Sequence, residues 1–474
     1  MPQVLEVDIC VIGAGSGGLS VAAAAAQLGV SVVLIEKGKM GGDCLNYGCV
    51  PSKAMIAAAK QAKLMSSGEK FGITAEEISV DFKKVHDHIH GVIAAIAPTD
   101  SVERFTGLGV KVIEAEGSFK DARTVVAGDY EIKARRFVIS TGSSAGIPPI
   151  SGLQDVPYHT NETIFDNTDK PAHLIIIGGG PIGMELAQAH RRLGAEVTVL
   201  EMFAPLAKDD PELTAIVLDR IVRDGVKIHS GIAVRHVAKK GRGIRVTIEV
   251  DGDEIEIDGS HLLVAAGRKP NVTGLNLEAA GVKYSPRGIE VNRKLKTSNR
   301  KIYAIGDVTG SLQFTHVANY HAGIVIRSAI FRLPAKVNTG IIPWVTYTDP
   351  ELAHVGLDEV AARKRYGKIK ILRWPYAEND RAMAEGKTDG MVKVITTQKG
   401  KIIGASIVGQ SAGELIQTWV LAITKGLKIG AMTSIIVPYP TLSEINKRVS
   451  YGFYTDKLSN PWLKKLIRFL ARFG

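Results

Sequence analysis

Cysteine is what the chain has least of: three in 474 residues, Cys10, Cys44 and Cys49, and none after position 49. Three cannot build the disulfide framework of a small secreted domain, so a reducing cytoplasmic setting is expected. Aromatic residues are also scarce, at 6%. Charge is missing altogether from residues 9–35, a run long enough for a membrane span or a signal peptide. That run, however, contains Gly13, Gly15, Gly17, Gly18 and Gly29 and has no basic leader, which suits a strand, a glycine turn and an Ala-rich helix better. Acidic residues are outnumbered, 48 against 59 Lys and Arg, giving a net charge of +11. The excess is spread in small clusters apart from the C-terminal stretch, so nucleic acid is not the expected partner. With 45% hydrophobic and 23% charged residues, whole-chain disorder is excluded. At roughly 150 residues per domain, the length accommodates about three domains.

Glycine is abundant, at 50 residues, and its placement carries the first functional signal. Two segments share one grammar. The first runs from a strand at Val7–Ile12 through Gly13-Ala-Gly15-Ser-Gly-Gly18 and a helix to a second strand that ends at Glu36. The second runs from Leu174–Ile177 through Gly178-Gly-Gly180-Pro-Ile-Gly183 and a helix over Met184–Leu193 to a strand ending at Glu201. In both, the acid falls 23 positions after the first glycine. This is a duplicated βαβ dinucleotide-binding unit. The first glycine permits the tight turn, the second lets a pyrophosphate approach the backbone, and the third lets helix and strand pack. The pyrophosphate rests on the helix N-terminus, and the acid accepts from ribose hydroxyls.

Directly after the first unit comes Gly41-Gly42-Asp43-Cys44-Leu-Asn-Tyr-Gly48-Cys49-Val-Pro-Ser-Lys53. Two cysteines five apart, with Gly48 relaxing the turn, can close a small redox-active disulfide loop. A helix starting near Cys49 would lower its pKa and favour the thiolate. The competing reading is two unrelated buried cysteines. No Cys or His set has metal-ligand spacing, so no metal site is expected. Cys10 lies inside the first strand and reads as inert core. Further along, Val246–Val250 and Glu254–Ile257 flank an Asp251-Gly turn and read as a hairpin. Residues from about 340 to 455 mix strands at Met391–Thr396 and Ile402–Val408 with a helix near Gly413–Thr424, as in a separate α+β domain.

The two glycine fingerprints, the cysteine motif, Ala265-Ala-Gly-Arg-Lys-Pro-Asn271 and Tyr303-Ala-Ile-Gly-Asp-Val308 together resemble the FAD-dependent pyridine nucleotide–disulfide oxidoreductases. That family includes dihydrolipoamide dehydrogenase, glutathione reductase and mercuric reductase. The resemblance covers residues 5–455 and implies an α/β fold: two Rossmann-like domains, for FAD and NAD, plus a C-terminal α+β dimerisation domain. It divides the chain into the first part of the FAD domain (1–150), the NAD domain (151–270), a return segment of the FAD domain (271–337), an interface domain (338–455) and a basic amphipathic tail (456–474). It implies that Gly13, Gly15, Gly18 and Glu36 bind the ADP half of FAD, with Thr141, Gly142 and Asp307 completing the site. Gly178, Gly180, Gly183 and Glu201 would bind the nicotinamide dinucleotide. Gly42, Lys53, Gly267, Arg268, Gly306 and His316 join the cofactor-lining residues. Cys49 would face the flavin as the charge-transfer thiolate, Cys44 would attack the substrate, and Lys53 and Glu185 would form an ion pair beside the flavin. Glu201 repels a 2′-phosphate and Met202 and Phe203 offer no arginine, so NADH is expected over NADPH.

The C-terminal motif departs from the family. Reductases acting on lipoamide or glutathione carry His-Pro followed by Glu, whereas here the run is Val437-Pro-Tyr439-Pro440-Thr-Leu-Ser-Glu444. A phenol is a poor base near neutrality; His316 or His321 could substitute. Mercuric reductases carry Tyr at the corresponding place, and Phe314–Ala318, Ile342–Pro350 and Asn379-Asp-Arg-Ala382 also resemble that branch. Their metal route, however, uses a C-terminal cysteine pair that this chain lacks. The resemblance implies a homodimer in which Tyr439 and Glu444 of one chain complete the other's site. The expected activity is dihydrolipoamide dehydrogenase-like: electrons pass from NADH through FAD to the Cys44–Cys49 disulfide, then to a small or carrier-bound disulfide or a soft electrophile. The alternatives are metal-ion or quinone reduction, or a membrane-associated redox sensor. Residues 460–474 form a basic amphipathic helix beginning Asn460-Pro461-Trp462. It suits a membrane surface, a partner protein or packing on its own dimer, and the protein would be cytoplasmic, with peripheral contact at the inner face of a membrane under the first reading.

Overall fold

The computed structural model describes residues 2–75, 77–455 and 460–473; the start of the expected tail, 456–459, lies outside them. The chain divides into two compact units, Met1–Phe203 with Lys227–Asn338, and Ala204–Val226 with Thr339–Gly474.

The first unit is built on two parallel sheets that repeat one plan. In the larger, Lys111–Glu114, Val32–Glu36, Gln3–Ile12 and Tyr130–Ile139 lie side by side in parallel, extended by the antiparallel strands Thr124–Ala127 and Gly117–Asp121. Cys10, Val11, Val33, Leu34, Val138 and Ile139 have no exposed side-chain surface; helices cover both faces of a parallel sheet, so its strands read as unbroken apolar runs rather than alternating ones. The helix Ser16–Gln27 packs beside Thr315–Ala329, with Ser20 Oγ donating to Asn319 Oδ1 at 2.9 Å. The late strand Ile302–Ala304 pairs with Phe137–Ile139, so residues 300 positions apart in sequence share one sheet. The smaller sheet orders Lys227–Ser230, Glu196–Glu201, His173–Ile177 and His261–Val264, all parallel. Its helix, Pro181–Arg192, begins three residues before the expected start because proline is well tolerated at a first helical position. The expected hairpin is present as Gly243–Val250 and Asp253–Gly259, joined by Asp251 and Gly252, both at positive φ (54° and 95°), the backbone that a two-residue I′ turn requires.

The second unit holds a five-stranded antiparallel sheet in the order Pro343–Thr346, Glu351–Gly356, Ile402–Gly409, Met391–Thr397, Ile369–Pro375. The expected single helix near 413–424 is two pieces, Ala412–Leu415 and Gln417–Thr424, broken at Ile416. Trp419 is fully buried there, its indole N–H donating to Asn446 Oδ1 at 2.8 Å. The helix Pro211–Arg223 also clusters with this unit, although its sequence position falls in the stretch expected to bind NAD. Buried Lys393 explains it: its ammonium lies 2.7 Å from Asp210, 2.9 Å from Glu212 and 3.2 Å from Glu359. Arg373 adds a fork to Glu212 at 2.7 and 2.9 Å, and the Trp344 indole donates to Asp209 at 2.7 Å. Among the described residues no helix is long and apolar enough to cross a membrane.

Candidate functional site

The two glycine turns are superposable in their chemistry. Gly13 and Gly178 sit at φ +103° and +116°, where a side chain would run into the carbonyl of Ser140 or Ala265. Gly18 and Gly183 press against the carbonyls of Gly13 and Gly178. Gly15 and Gly180 differ: their φ values are ordinary, −78° and −72°, and a Cβ on either would meet nothing within 4 Å. These two positions therefore keep a space open above the start of each helix, the concavity a pyrophosphate needs. Gly42 backs onto the first cradle, 2.8 Å from the Gly15 Cα at its own would-be Cβ. Glu36 accepts from the Ala14 N–H at 2.6 Å and the Gly38 N–H at 2.8 Å; Glu201 accepts from the Gly179 N–H at 2.6 Å and the Phe203 N–H at 2.8 Å. Each acid thus fastens its glycine loop to the end of the second strand, a bracing role the sequence pattern did not reveal. Met202 and Phe203, beside Glu201, are exposed.

The cysteine pair follows the first cradle in the chain. Cys44 sits in a one-turn helix, Gly42–Asn46, rather than in a simple loop, and Cys49 is the first residue of the helix Cys49–Met65. Both are free thiols. Cys49 also meets the Thr315 hydroxyl at 3.5 Å. The Cys44 thiol donating to it, the Thr315 hydroxyl and the Lys53 charge pull Cys49 down to about 6, outweighing the burial that pushes the other way. Cys44 is pushed up, first by donating that proton to Cys49 and then by burial. The two thiols are thereby made unequal, with the thiolate favoured on Cys49. Lys53 lies one turn further down the helix, its ammonium 2.8 Å from the carboxylate of Glu185, which is 5% exposed. Because Glu185 stands on Pro181–Arg192, this ion pair joins the second glycine unit to the cysteine helix.

Among the remaining cofactor-lining candidates, Asp307 and Arg268 belong to one polar chain. Asp307 accepts from the Ser143 hydroxyl at 2.7 Å, and burial pushes its carboxyl up. Arg268 donates to Ser143 Oγ at 2.8 Å and its carbonyl at 2.7 Å, and pairs with Asp43 at 3.1 Å. Asn161 donates to the same Asp43 oxygen at 3.0 Å. Thr141 donates to the Asn271 carbonyl at 2.8 Å, while the Asn271 amide returns to the Thr141 carbonyl at 2.9 Å, clamping the Thr141-Gly142 turn. Gly267 and Gly306 both hold positive φ, 120° and 68°. His316 stacks on Phe314 with ring centres 5.3 Å apart. His321 cannot serve as the exchange base: it is 2% exposed, its Nδ1 accepts from the Gly306 N–H at 3.2 Å, and burial pushes it down to about 4. Cys10 is fully buried, and its thiol is pushed up by that burial. Sequence reasoning gave no role to Asp43, Ser143, Asn161, Asn271 or Thr315; Asp43 and Asn271 stand within quoted motifs and Ser143 and Thr315 beside residues already singled out, so only Asn161 left no signal.

In the second unit, Tyr439 is exposed and donates to Asp380 at 2.8 Å, which pushes its hydroxyl up. Glu444 is paired with Arg448 one turn along its helix at 2.8 Å. Among the described residues, no group of three or more His, Cys, Asp or Glu side chains is arranged to hold a metal ion.

The family model described as pyridine nucleotide-disulphide oxidoreductase matches residues 7–322, and the model of that family's dimerisation domain matches residues 342–449. A mercuric reductase from Staphylococcus aureus is 34% identical over 454 residues, covering 95% of this chain and 83% of the relative. A dihydrolipoyl dehydrogenase from Geobacillus stearothermophilus is 36% identical over 458 residues, covering 93% and 95%. Among solved structures, the HOCl-induced flavoprotein disulfide reductase RclA from Escherichia coli matches with a TM-score of 0.83 at 26% identity, over 94% of this chain and 99% of that one. The double glycine cradle and the cysteine pair are thus found in a chain that belongs to the FAD-dependent pyridine nucleotide-disulphide oxidoreductases, oxidoreductases that draw on a pyridine nucleotide and act on a disulfide or other sulfur group, with a dimerisation domain that supports a homodimer.

Proposed function

We propose that the protein is an NADH-dependent disulfide reductase of dihydrolipoamide dehydrogenase-like type, in which Cys44 and Cys49 are the exchanging pair. The observation that carries this reading is the placement of the pair: Cys49 opens the helix Cys49–Met65 with its sulfur 3.5 Å from the Thr315 hydroxyl, Cys44 stands five residues before it, and Lys53, one turn on, is held 2.8 Å from Glu185. The Gly13–Gly18 turn, Glu36, Thr141, Gly142 and Asp307 would hold FAD, which when bound supplies the two-electron relay between a hydride donor and a disulfide. The Gly178–Gly183 turn and Glu201 would hold NADH, with the carboxylate favouring a ribose hydroxyl over a phosphate. Cys44, once deprotonated, attacks the substrate disulfide; its S–S bond breaks and one sulfur leaves. The Cys49 thiolate then displaces the second sulfur and closes the Cys44–Cys49 disulfide. Two electrons move from the cysteine pair to the substrate, and the net reaction is NADH + H⁺ + RSSR → NAD⁺ + 2 RSH. Lys53, held by Glu185, keeps a positive charge beside the pair and favours thiolate over thiol.

A second reading, reduction of a thiophilic metal ion or a quinone, draws support from Tyr439. Its hydroxyl is pushed up by Asp380, so even less phenolate is available as a base near neutral pH than from an ordinary phenol. Disulfide exchange needs a base for the Cys44 proton, whereas electron transfer to a soft metal or a quinone does not. The test is NADH oxidation with lipoamide and a soluble quinone in parallel, using wild type and Cys44→Ser. Fast lipoamide turnover abolished by the substitution is the expected result. Slow lipoamide turnover, with quinone reduction surviving the substitution, overturns the first reading in favour of the second.

A further inference from the structure

The described residues 460–473 lie beyond both matched family regions, so the conserved redox chemistry does not account for them. They form a helix, Pro461–Leu470, started by Asn460, whose side chain accepts from the Trp462 N–H at 2.9 Å, with proline at the first position. No residue of this helix is buried. At 100° per residue, Trp462, Leu466, Ile467, Phe469 and Leu470 fall within one arc of about 160°, and Lys464, Lys465 and Arg468 occupy an opposite arc of about 100°. The two arcs do not overlap, and the segment 460–473 contains no acidic residue. Trp462 and Phe473 are 78% and 74% exposed. A ten-residue helix standing in water with its apolar face uncovered is marginal, so this face needs a cover.

We propose that the helix Pro461–Leu470 lies flat on an anionic lipid surface and brings the enzyme to the membrane periphery. Charge selects this cover. A second copy of a chain with a net charge of +11 offers a net repulsive surface to a purely cationic helix, whereas an anionic headgroup layer attracts it. The arcs fit the same geometry: aromatic and aliphatic groups enter the acyl boundary, while lysine and arginine stems reach back to the headgroups. The Lys465 ammonium already lies over the Trp462 ring at 5.5 Å, with a cation and an indole placed together at the edge of the apolar arc.

The experiment is co-sedimentation of the flavin-loaded full-length enzyme with vesicles of phosphatidylcholine alone and of phosphatidylcholine containing about 30% phosphatidylglycerol, at low and high salt. Binding is expected only to the phosphatidylglycerol vesicles, weakened by salt, with a blue shift of the Trp462 emission that Trp462→Phe removes. Lys464→Gln with Lys465→Gln is expected to lower partitioning roughly ten- to thirtyfold. Leu466→Glu with Ile467→Glu is expected to abolish it while leaving NADH oxidation in solution unchanged, showing that the variant folds. No binding to either vesicle overturns the proposal. So does a loss of dimer mass in Leu466→Glu/Ile467→Glu without any vesicle binding by wild type, which would make the face a subunit contact.

Discussion

At the scale of single residues, chemistry is decided by where one proton sits. The neighbouring Cys44 thiol does more than the Lys53 charge to pull Cys49 below an ordinary thiol. In the reduced enzyme, the thiolate absorbance is therefore expected to appear as pH rises through about 6. Cys44→Ala removes the donor and should move that midpoint upward, whereas Cys44→Ser, which keeps a hydroxyl donor, should move it less; an unshifted midpoint in Cys44→Ala would refute the assignment. Thr315→Val should raise the midpoint as well, since it deletes the second donor. The cysteine pair was legible in sequence because two cysteines after a dinucleotide-binding unit have few other uses. Thr315 was not, because its approach to Cys49 spans 266 positions and depends on where the helix Thr315–Ala329 starts.

At the scale of elements, the glycine turns separate what the backbone needs from what a ligand needs. Gly15→Val and Gly180→Val each place a side chain in open space, so both variants should fold. Gly15→Val should purify without flavin. Gly180→Val should retain flavin and show a KM for NADH raised roughly ten- to a hundredfold, the loss of about one charge-assisted hydrogen bond. The readouts are flavin absorbance and steady-state kinetics. Gly13→Val, by contrast, should fail to fold, since φ of +103° and the Ser140 carbonyl both exclude a side chain. The helix Pro211–Arg223 presents a different case. Lys393→Ala leaves buried Asp210 without its ammonium partner, while Glu212 and Glu359, 38% and 30% exposed, keep Arg373 and Arg363, and should cost about 1–3 kcal/mol, visible as a lower Tm; Lys393→Met should repeat much of that loss, because the charge rather than the stem is what matters there. The Arg373 fork, ahead of Lys393, holds Glu212 down at about 2. A carboxylate depressed in the folded state stabilises it above the ordinary carboxylate range and ceases to as pH falls toward its folded value. Wild-type stability should therefore drop between about pH 4.5 and pH 2, and Glu212→Gln should flatten that drop.

At the scale of the whole molecule, the dimerisation domain supports a homodimer, at twice the 50.8 kDa chain mass. If Tyr439 and Glu444 act on the partner's cysteines, two inactive variants can rescue one another. Mixed after subunit exchange, Cys44→Ser and Glu444→Gln should recover roughly a quarter of wild-type turnover, since half the dimers are hybrids with one complete site each. Were each chain to use its own Glu444, the mixture would stay as inactive as its parents.

What the sequence by itself determined is local and periodic: two βαβ units with their acids, the cysteine pair, the Asp251-Gly hairpin, and a C-terminal helix with its charges on one side. These follow from short-range rules, because a turn that needs positive φ or an open cradle admits few residues besides glycine. Only the tertiary structure decided which distant groups meet. It brought Glu185 to Lys53, Asp43 to Arg268 and Thr315 to Cys49, and it drew residues 204–226 toward the five-stranded sheet. It also removed His321 from the candidate bases by burying it against the Gly306 N–H. The physical reason is the same throughout: a side chain's partners and its protonation depend on burial and on neighbours that chain connectivity does not set, and those exist only once the sheets have packed.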